Sequence, residues 1–399
     1  MDNKIITQAV IIAGGRGERL RPFTDTMPKA MYPVDGVPFI EKLILQIKSF
    51  GIKDIVILLG YLADKVVEYI GDGAKYGVSI TYDITSAEYN TAERIYHAKD
   101  LYNDRFLFMY CDNYCPIDFD KLVQDSMNND ASIQVSVYSN KDKYTKDNLY
   151  IDENGLCKVY DKTHTFDKLA GVDIGYEIVK KEVVDIVKDV NGAFNNIVFP
   201  KLIEQKKLYA TITDHRYYSV STQERMPLTQ EFFKDKKIAF LDRDGTLNVR
   251  APKACYIEKA DDFVWLDKAK DAVKLLTDNG YKVILITNQP GIARGKVTEE
   301  NLKAIHEKMQ QDLKAYGTEI YKIYYCPHDW DEGCDCRKPK PGMLYQAQRD
   351  LSIDLTKTVL FGDDERDIEA ANNARVKGIL VSEEYPLYDA VKDYLENNI

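Results

Sequence analysis

Residues 238–248 read IAFLDRDGTLN, a short apolar strand that runs into Asp242-x-Asp244-Gly245-Thr246. In parallel α/β sheets ligands bind beyond the carboxyl ends of strands, so two carboxylates at this point stand where chemistry is expected. Strand alternation puts Asp242 and Asp244 on the same side, and Gly245 permits a tight turn. Asp-Gly pairs are also ordinary loop residues, so the stretch carries weight only if distant residues support it.

They do. The strand in YKVILITNQPGIARG ends at Thr287, CRKPKPG supplies Lys338, and VLFGDDERD brings Asp363 to the end of another strand. This order of motifs resembles the haloacid dehalogenase superfamily of phosphatases, over about residues 237–399. The resemblance implies a doubly wound parallel sheet and Mg2+ held by Asp242, Asp363 and the main-chain carbonyl of Asp244. A cation is needed because a carboxylate nucleophile and a phosphoryl group repel each other. Asp242 would form an aspartyl phosphate, and Asp244 would act as acid and then base. Thr287 and Lys338 would stabilise the phosphoryl oxygens, with Asn288 and Arg337 binding substrate. Asp364 and Asp367 either orient the metal shell or oppose a helix dipole, the second being the plainer reading for Asp367.

YYCPHDWDEGCDCRKPKPG contains Cys326, His328, Cys334 and Cys336. Three thiolates and an imidazole so close in sequence form a closed tetrahedral set, which is a structural Zn2+ site rather than a catalytic one. It would order the loop that presents Arg337 and Lys338. With the clip, the motifs resemble the D-glycero-D-manno-heptose 1,7-bisphosphate phosphatases. The histidinol-phosphate phosphatases share it, and the short His328-to-Cys334 interval is closer to theirs.

Near the start, AVIIAGGRGERLRPFTDTMPK places Gly14, Gly15 and Gly17 after a strand, where main-chain N–H groups can approach phosphate oxygens. The longer string GGxGxRLxPxTxxxPK resembles the sugar-1-phosphate nucleotidyltransferases, with a Rossmann-like fold. The resemblance implies that Arg19 and Lys29 meet the triphosphate, Lys29 catalytically beside the α-phosphate. It implies that Asp112 holds Mg2+, Lys162 binds the sugar phosphate, and Gly171 and Asp173 recognise the sugar. Two departures stand out: Asn90 and Thr91 replace the usual base-reading glycine-threonine pair, and Ser219 occupies the place of a second metal-binding aspartate.

The chain of 399 residues is 45% hydrophobic and 30% charged, with seven cysteines and a net charge of -10. That length implies two domains. We read them as α/β throughout: 1–228, a linker at 229–236, and 237–399. DKAKDAVKLLTDNG reads as a helix capped by Asp267 and stopped at Gly280. The acidic balance excludes non-specific nucleic-acid binding, no apolar run is long enough to span a membrane, and the first residues do not read as a signal peptide. A cytoplasmic location is expected.

Joining the halves implies a bifunctional enzyme. Loss of the 7-phosphate from a heptose bisphosphate yields the sugar 1-phosphate that a nucleotidyltransferase would activate, with GTP the expected nucleotide. Three alternatives stay open: another sugar phosphate with a product such as GDP-mannose, a histidinol-type phosphatase, or a non-catalytic N-terminal binder that regulates the phosphatase.

Overall fold

A computed structural model describes residues 6–253 and 255–397. The first five residues, which begin both the first domain range and the segment read for a targeting signal, lie outside it, as do the last two of the second range. The chain forms two compact units, Met1–Phe233 and Lys234–Ile399. The stretch 229–236 is helical as far as Phe233, within a helix that begins at Met226. Among the described residues no helix is long and apolar enough to cross a membrane.

The first unit is built on seven strands: β1 (Gln8–Ile12), β2 (Asp54–Leu59), β3 (Ser79–Ile84), β4 (Arg105–Tyr110), β5 (Ile133–Tyr138), β6 (Val172–Lys180) and β7 (Leu208–Thr213). They lie in the order β7-β5-β6-β4-β1-β2-β3. All are parallel except β6, which runs antiparallel to both β4 and β5. Along β1, Ala9 and Ile11 enter one apolar cluster while Val10 and Ile12 enter another. Both faces of the sheet are therefore covered, which is why its central strands read as unbroken apolar runs.

The second unit repeats the principle with β8 (Ile238–Leu241), β9 (Lys282–Asn288), β10 (Lys322–Cys326), β11 (Val359–Gly362) and β12 (Lys377–Leu380), in the order β10-β9-β8-β11-β12. Every pairing is parallel. Ala239 and Leu241 pack on one face, Ile238 and Phe240 on the other. Chain order reverses between β8 and β11, so the crevice at their carboxyl ends is the topological switch point. Helix α1 (Ala269–Asp278) follows β8, and Gly280 takes φ +81° just past its end, as expected of a stop. Its start differs from the Asp267 expectation. Lys268, in a left-handed conformation, precedes the first helical residue, and its side chain makes no capping hydrogen bond among the described residues.

Candidate active sites

Asp242 is the first residue beyond β8 and Asp363 the first beyond β11, and the Asp242 N–H donates to the Phe361 carbonyl at 3.0 Å. This pairing keeps the two strand ends in step. Gly245 then turns the chain at φ +95°, and a Cβ there would lie 2.0 Å from Asp363 Oδ2. No L side chain fits that close approach. One carboxylate oxygen from each of Asp242, Asp363 and Asp367 lies within 4.8 Å of the others, a set suited to a hard divalent cation.

Between these acids sits Lys338, only 3% exposed. Its Nζ donates to Asp242 Oδ1 at 2.7 Å and to the Ile286 carbonyl at 2.9 Å, and pairs with Asp367 Oδ1 at 2.6 Å. Burial, with the charge of Asp367 adding to it, holds the Asp242 carboxyl up at about 7 against the pull of Lys338. A cation among the three acids would lower it further. Asn288, the last residue of β9, clamps the main chain of Lys338, accepting from its N–H at 3.0 Å and donating to its carbonyl at 3.1 Å. Asp244 faces another way. It accepts from Arg243 Nη2 at 2.8 Å, Asn248 Nδ2 at 3.0 Å and Gln289 Nε2 at 2.9 Å. Burial opposes its charge, but the Arg243 guanidinium and these donors hold it below the usual carboxylate value. Thr287, also buried, accepts from Gln289 Nε2 at 2.9 Å. Asp242, Asp244, Thr287, Asn288, Arg337 and Lys338 all line one cleft of about 250 Å³.

Cys326 ends β10, next to the end of β9, and the Gln289 N–H donates to its carbonyl at 2.7 Å. Cys336 Sγ lies 3.2 Å from Cys326 Sγ, 3.5 Å from Cys334 Sγ and 3.2 Å from His328 Nδ1. A tetrahedral zinc with Zn–S bonds of about 2.3 Å spaces its sulfurs by roughly 3.8 Å, so this set needs only slight expansion. The Arg337 guanidinium donates to the His328 carbonyl at 3.2 Å, which ties the clip to the residue before Lys338.

In the first unit, Gly14, Gly15, Gly17, Arg19, Lys29 and Asp112 line a cleft of about 600 Å³. Gly17 has φ +63°, and a Cβ there would press on Lys29 and Thr24 at 3.0 and 3.1 Å. Lys29 and Asp112 form an ion pair. Asn90 and Thr91 also border the cleft. Ser219 is buried, its hydroxyl 2.8 Å from that of Ser221. Lys162, Gly171 and Asp173 do not line this cleft. Lys162 is exposed, and Asp173 accepts from Asn195 Nδ2 at 3.0 Å.

Residues 8–159 match the family model described as nucleotidyl transferase, and residues 237–375 the one described as polynucleotide kinase 3 phosphatase. The D-glycero-beta-D-manno-heptose-1,7-bisphosphate 7-phosphatase of Haemophilus influenzae is 39% identical over 41% of this chain and 92% of its own. Through its second unit, the chain belongs to that phosphatase family. The D-glycero-alpha-D-manno-heptose-1,7-bisphosphate 7-phosphatase of Photorhabdus laumondii is 37% identical, over 41% and 92%. A crystal structure of a putative glucose-1-phosphate thymidylyltransferase from Bacillus anthracis shares the fold of the first unit, at 21% identity and a TM-score of 0.51, over 57% of this chain and 95% of that one. The chain is thus a phosphatase joined to a nucleotidyltransferase.

In the phosphatase unit, Asp367 corrects the plain helix-end reading. It does close a capping box with Asp364 at the start of α2 (Glu365–Asn373). Its other oxygen nevertheless pairs with Lys338, so it belongs to the site as well. Arg243, Gln289 and Asn248 went unread in the sequence. Arg243 sits between Asp242 and Asp244, and its 1% exposure is what makes it a partner for Asp244. No spacing rule announces that. In the transferase unit the missed residue is Arg94, buried beneath Gly14. Its guanidinium donates to the Ser86 and Tyr89 carbonyls at 2.9 and 3.2 Å. It thereby holds the loop that borders this cleft.

Proposed function

We propose that the phosphatase unit removes the 7-phosphate of a D-glycero-D-manno-heptose 1,7-bisphosphate, and that the transferase unit joins the resulting sugar 1-phosphate to a nucleoside monophosphate drawn from a triphosphate, GTP being the expected one. The observation that carries this reading is the buried Asp242–Lys338–Asp367 network at the switch point, in a unit that spans most of its heptose bisphosphatase relatives. Relatives named for both the alpha and the beta anomer are similar to this chain, so the anomer is left open.

Asp242, Asp363 and Asp367 fit Mg2+, which when bound neutralises phosphoryl charge and lets the anionic nucleophile approach. Asp242 attacks phosphorus, the bond to the sugar oxygen breaks, and an aspartyl phosphate forms. Lys338 and Thr287 stabilise the transferring oxygens. Asp244 donates a proton to the leaving oxygen and then takes one from the attacking water. At rest Asp244 is ionised, the form suited to the second step. An entering phosphate dianion raises its proton affinity, which loads it for the first.

In the transferase unit Lys29, now paired with Asp112, would meet the α-phosphate once the triphosphate enters, and Asp112 would be free to hold Mg2+, which would neutralise phosphate charge. Arg19 and the glycine loop bind the remaining phosphoryl oxygens. Lys162, Gly171 and Asp173 take the sugar phosphate. One observation favours a second reading, a nucleotide-binding unit without turnover: Ser219 spends its hydroxyl on Ser221, which leaves Asp112 without a carboxylate at that position.

A panel of sugar phosphates crossed with four nucleoside triphosphates tests all of this. We expect phosphate release from the heptose bisphosphate and pyrophosphate release with GTP and heptose 1-phosphate. Preference for histidinol phosphate would reject the first, and pyrophosphate at background with every triphosphate would leave the second reading standing.

The clip is proposed to hold one structural Zn2+. Elemental analysis is expected to find one zinc per chain, and Cys336→Ser to lose it together with most phosphatase activity. A fully active preparation free of zinc would contradict the assignment.

A further inference from the structure

Beside Asp173 in the transferase unit, three buried polar atoms have no hydrogen-bond partner among the described residues: Glu177 Oε2, Asn195 Oδ1 and Tyr160 Oη. Unpaired buried polar atoms are costly and few in native proteins, so three in one place need a reason. The three residues and Asp173 are near neighbours. The carboxyl groups of Asp173 and Glu177 both act on the Tyr160 hydroxyl, and Asn195 touches both acids.

Asn195 lies on the helix Phe194–Glu204 and is 3% exposed. Its one amide nitrogen donates to Asp173 Oδ2 at 3.0 Å and to Glu177 Oε1 at 2.9 Å. The other oxygen of Asp173 accepts from the Gly175 N–H at 3.0 Å, and the Asp173 N–H donates to Asn148 Oδ1 at 2.9 Å. Asp173 is thus held at both oxygens and at its main chain. The pairing of β6 with β5 shifts register between Asp173 and Glu177. Within that shift Gly175 takes φ +76°, and a Cβ on it would come 2.8 Å from the ring of Tyr110, a residue that lines the nucleotide cleft. Strand irregularities of this kind re-aim side chains next to binding sites.

Glu177 is fully buried, and burial, with the charge of Asp173 adding to it, drives its carboxyl well above the usual range. Burial therefore favours the protonated form of Glu177, and it acts in the same direction on Asp173. The charge of Lys162 acts on both acids, which connects the cluster to the residue expected to bind that phosphate. A purely structural polar network would be closed, and this one is open.

We propose that Asn195 and Glu177 are positioning residues that fix Asp173 for the hydroxyls of the acceptor sugar, and so set which sugar 1-phosphate the unit takes. This rests on the transferase reading above. Held at both oxygens, Asp173 has its remaining lone pairs fixed in direction, so only certain hydroxyl arrangements can donate to it.

The test uses the full chain and measures initial rates of pyrophosphate release with GTP against heptose 1-phosphate and mannose 1-phosphate. Asn195→Ala is expected to raise KM for heptose 1-phosphate about tenfold, the loss of roughly one charge-assisted hydrogen bond, and to narrow the preference between the two sugars. KM for GTP should stay within about twofold, since Asn195 does not border the nucleotide cleft. Glu177→Leu, which removes the acceptor for Asn195, is expected to raise KM for heptose 1-phosphate likewise, and Glu177→Gln, which keeps a neutral acceptor of the same shape, to restore it. If Asn195→Ala does not fold, Asn195→Leu, which fills the volume and removes the donor, carries the same expectation. Unchanged sugar KM would overturn the proposal. So would a parallel loss of GTP affinity, which marks a structural role. Wild-type protein silent with both sugars would overturn the transferase reading and this inference with it; only in that case is the wild type inactive.

Discussion

Asp242→Asn is expected to lower the phosphatase turnover number by about four orders of magnitude or more, the scale seen when a nucleophile is removed from its supporting groups. The amide matches the carboxylate in shape and hydrogen-bond reach but cannot form the acyl phosphate. Folding should be nearly untouched, because Lys338 keeps two of its partners, Asp367 and the Ile286 carbonyl. Loss of one anion also relieves the repulsion that Asp242 shares with Asp367. The measurements are phosphate release at saturating substrate and the thermal melt followed by circular dichroism. Mass spectrometry of acid-quenched wild type should find the phosphoryl group on Asp242. A variant with more than a few per cent of wild-type turnover would end the nucleophile assignment. Pyrophosphate release by the other unit should be unchanged.

Why Asp242 was legible while Arg243 was not follows from what each depends on. Asp242 stands at the end of an apolar run, and the rule that ligands gather at strand ends is a property of parallel sheets in general. The three central strands of the second sheet were visible for the same reason: largely buried, they read as unbroken apolar segments. The antiparallel β6 was not. Its nine residues, VDIGYEIVK, carry Glu177 in a fully buried position and a glycine at positive φ, so neither composition nor alternation marks them as a central strand. The groups that tune the site were also out of reach. Arg243 and Asn248 lie in the same stretch as Asp244 and Gln289 comes from another, but that all three turn onto one carboxylate is a tertiary fact. Asp367 shows the limit most clearly. Spacing identified a helix-terminal acid, and the capping box is there. Spacing could not show that its second oxygen faces a lysine 29 residues earlier in the chain, since 367 − 338 = 29.

Lys338→Met is expected to cost both activity and stability, and the two losses have different origins. Lys338 is 3% exposed, and its ammonium is the partner of two acids that are themselves almost fully buried, Asp242 at 7% and Asp367 at 2% exposure. The favourable interactions of such a network roughly offset its desolvation, but removal of one partner leaves the others uncompensated. Methionine fills the volume and supplies no charge, so the fold of the second unit should lose about 3–5 kcal/mol, the usual consequence of breaking a buried pair. Asp242 would then be harder to ionise, because Lys338 is what offsets burial and the charge of Asp367. Turnover should drop by about a hundred- to a thousandfold, as when a group that stabilises transition-state charge is deleted. Millimolar magnesium is expected to restore part of the stability, because a divalent cation among Asp242, Asp363 and Asp367 compensates the same acids. It should not restore the rate, because the hydrogen bond that the ammonium would give the transferring oxygen is not replaced. Urea unfolding with and without magnesium, run beside phosphate-release rates, separates the two. Recovery of both by magnesium would show that Lys338 only balances charge. Recovery of neither would remove the carboxylate trio as a cation site.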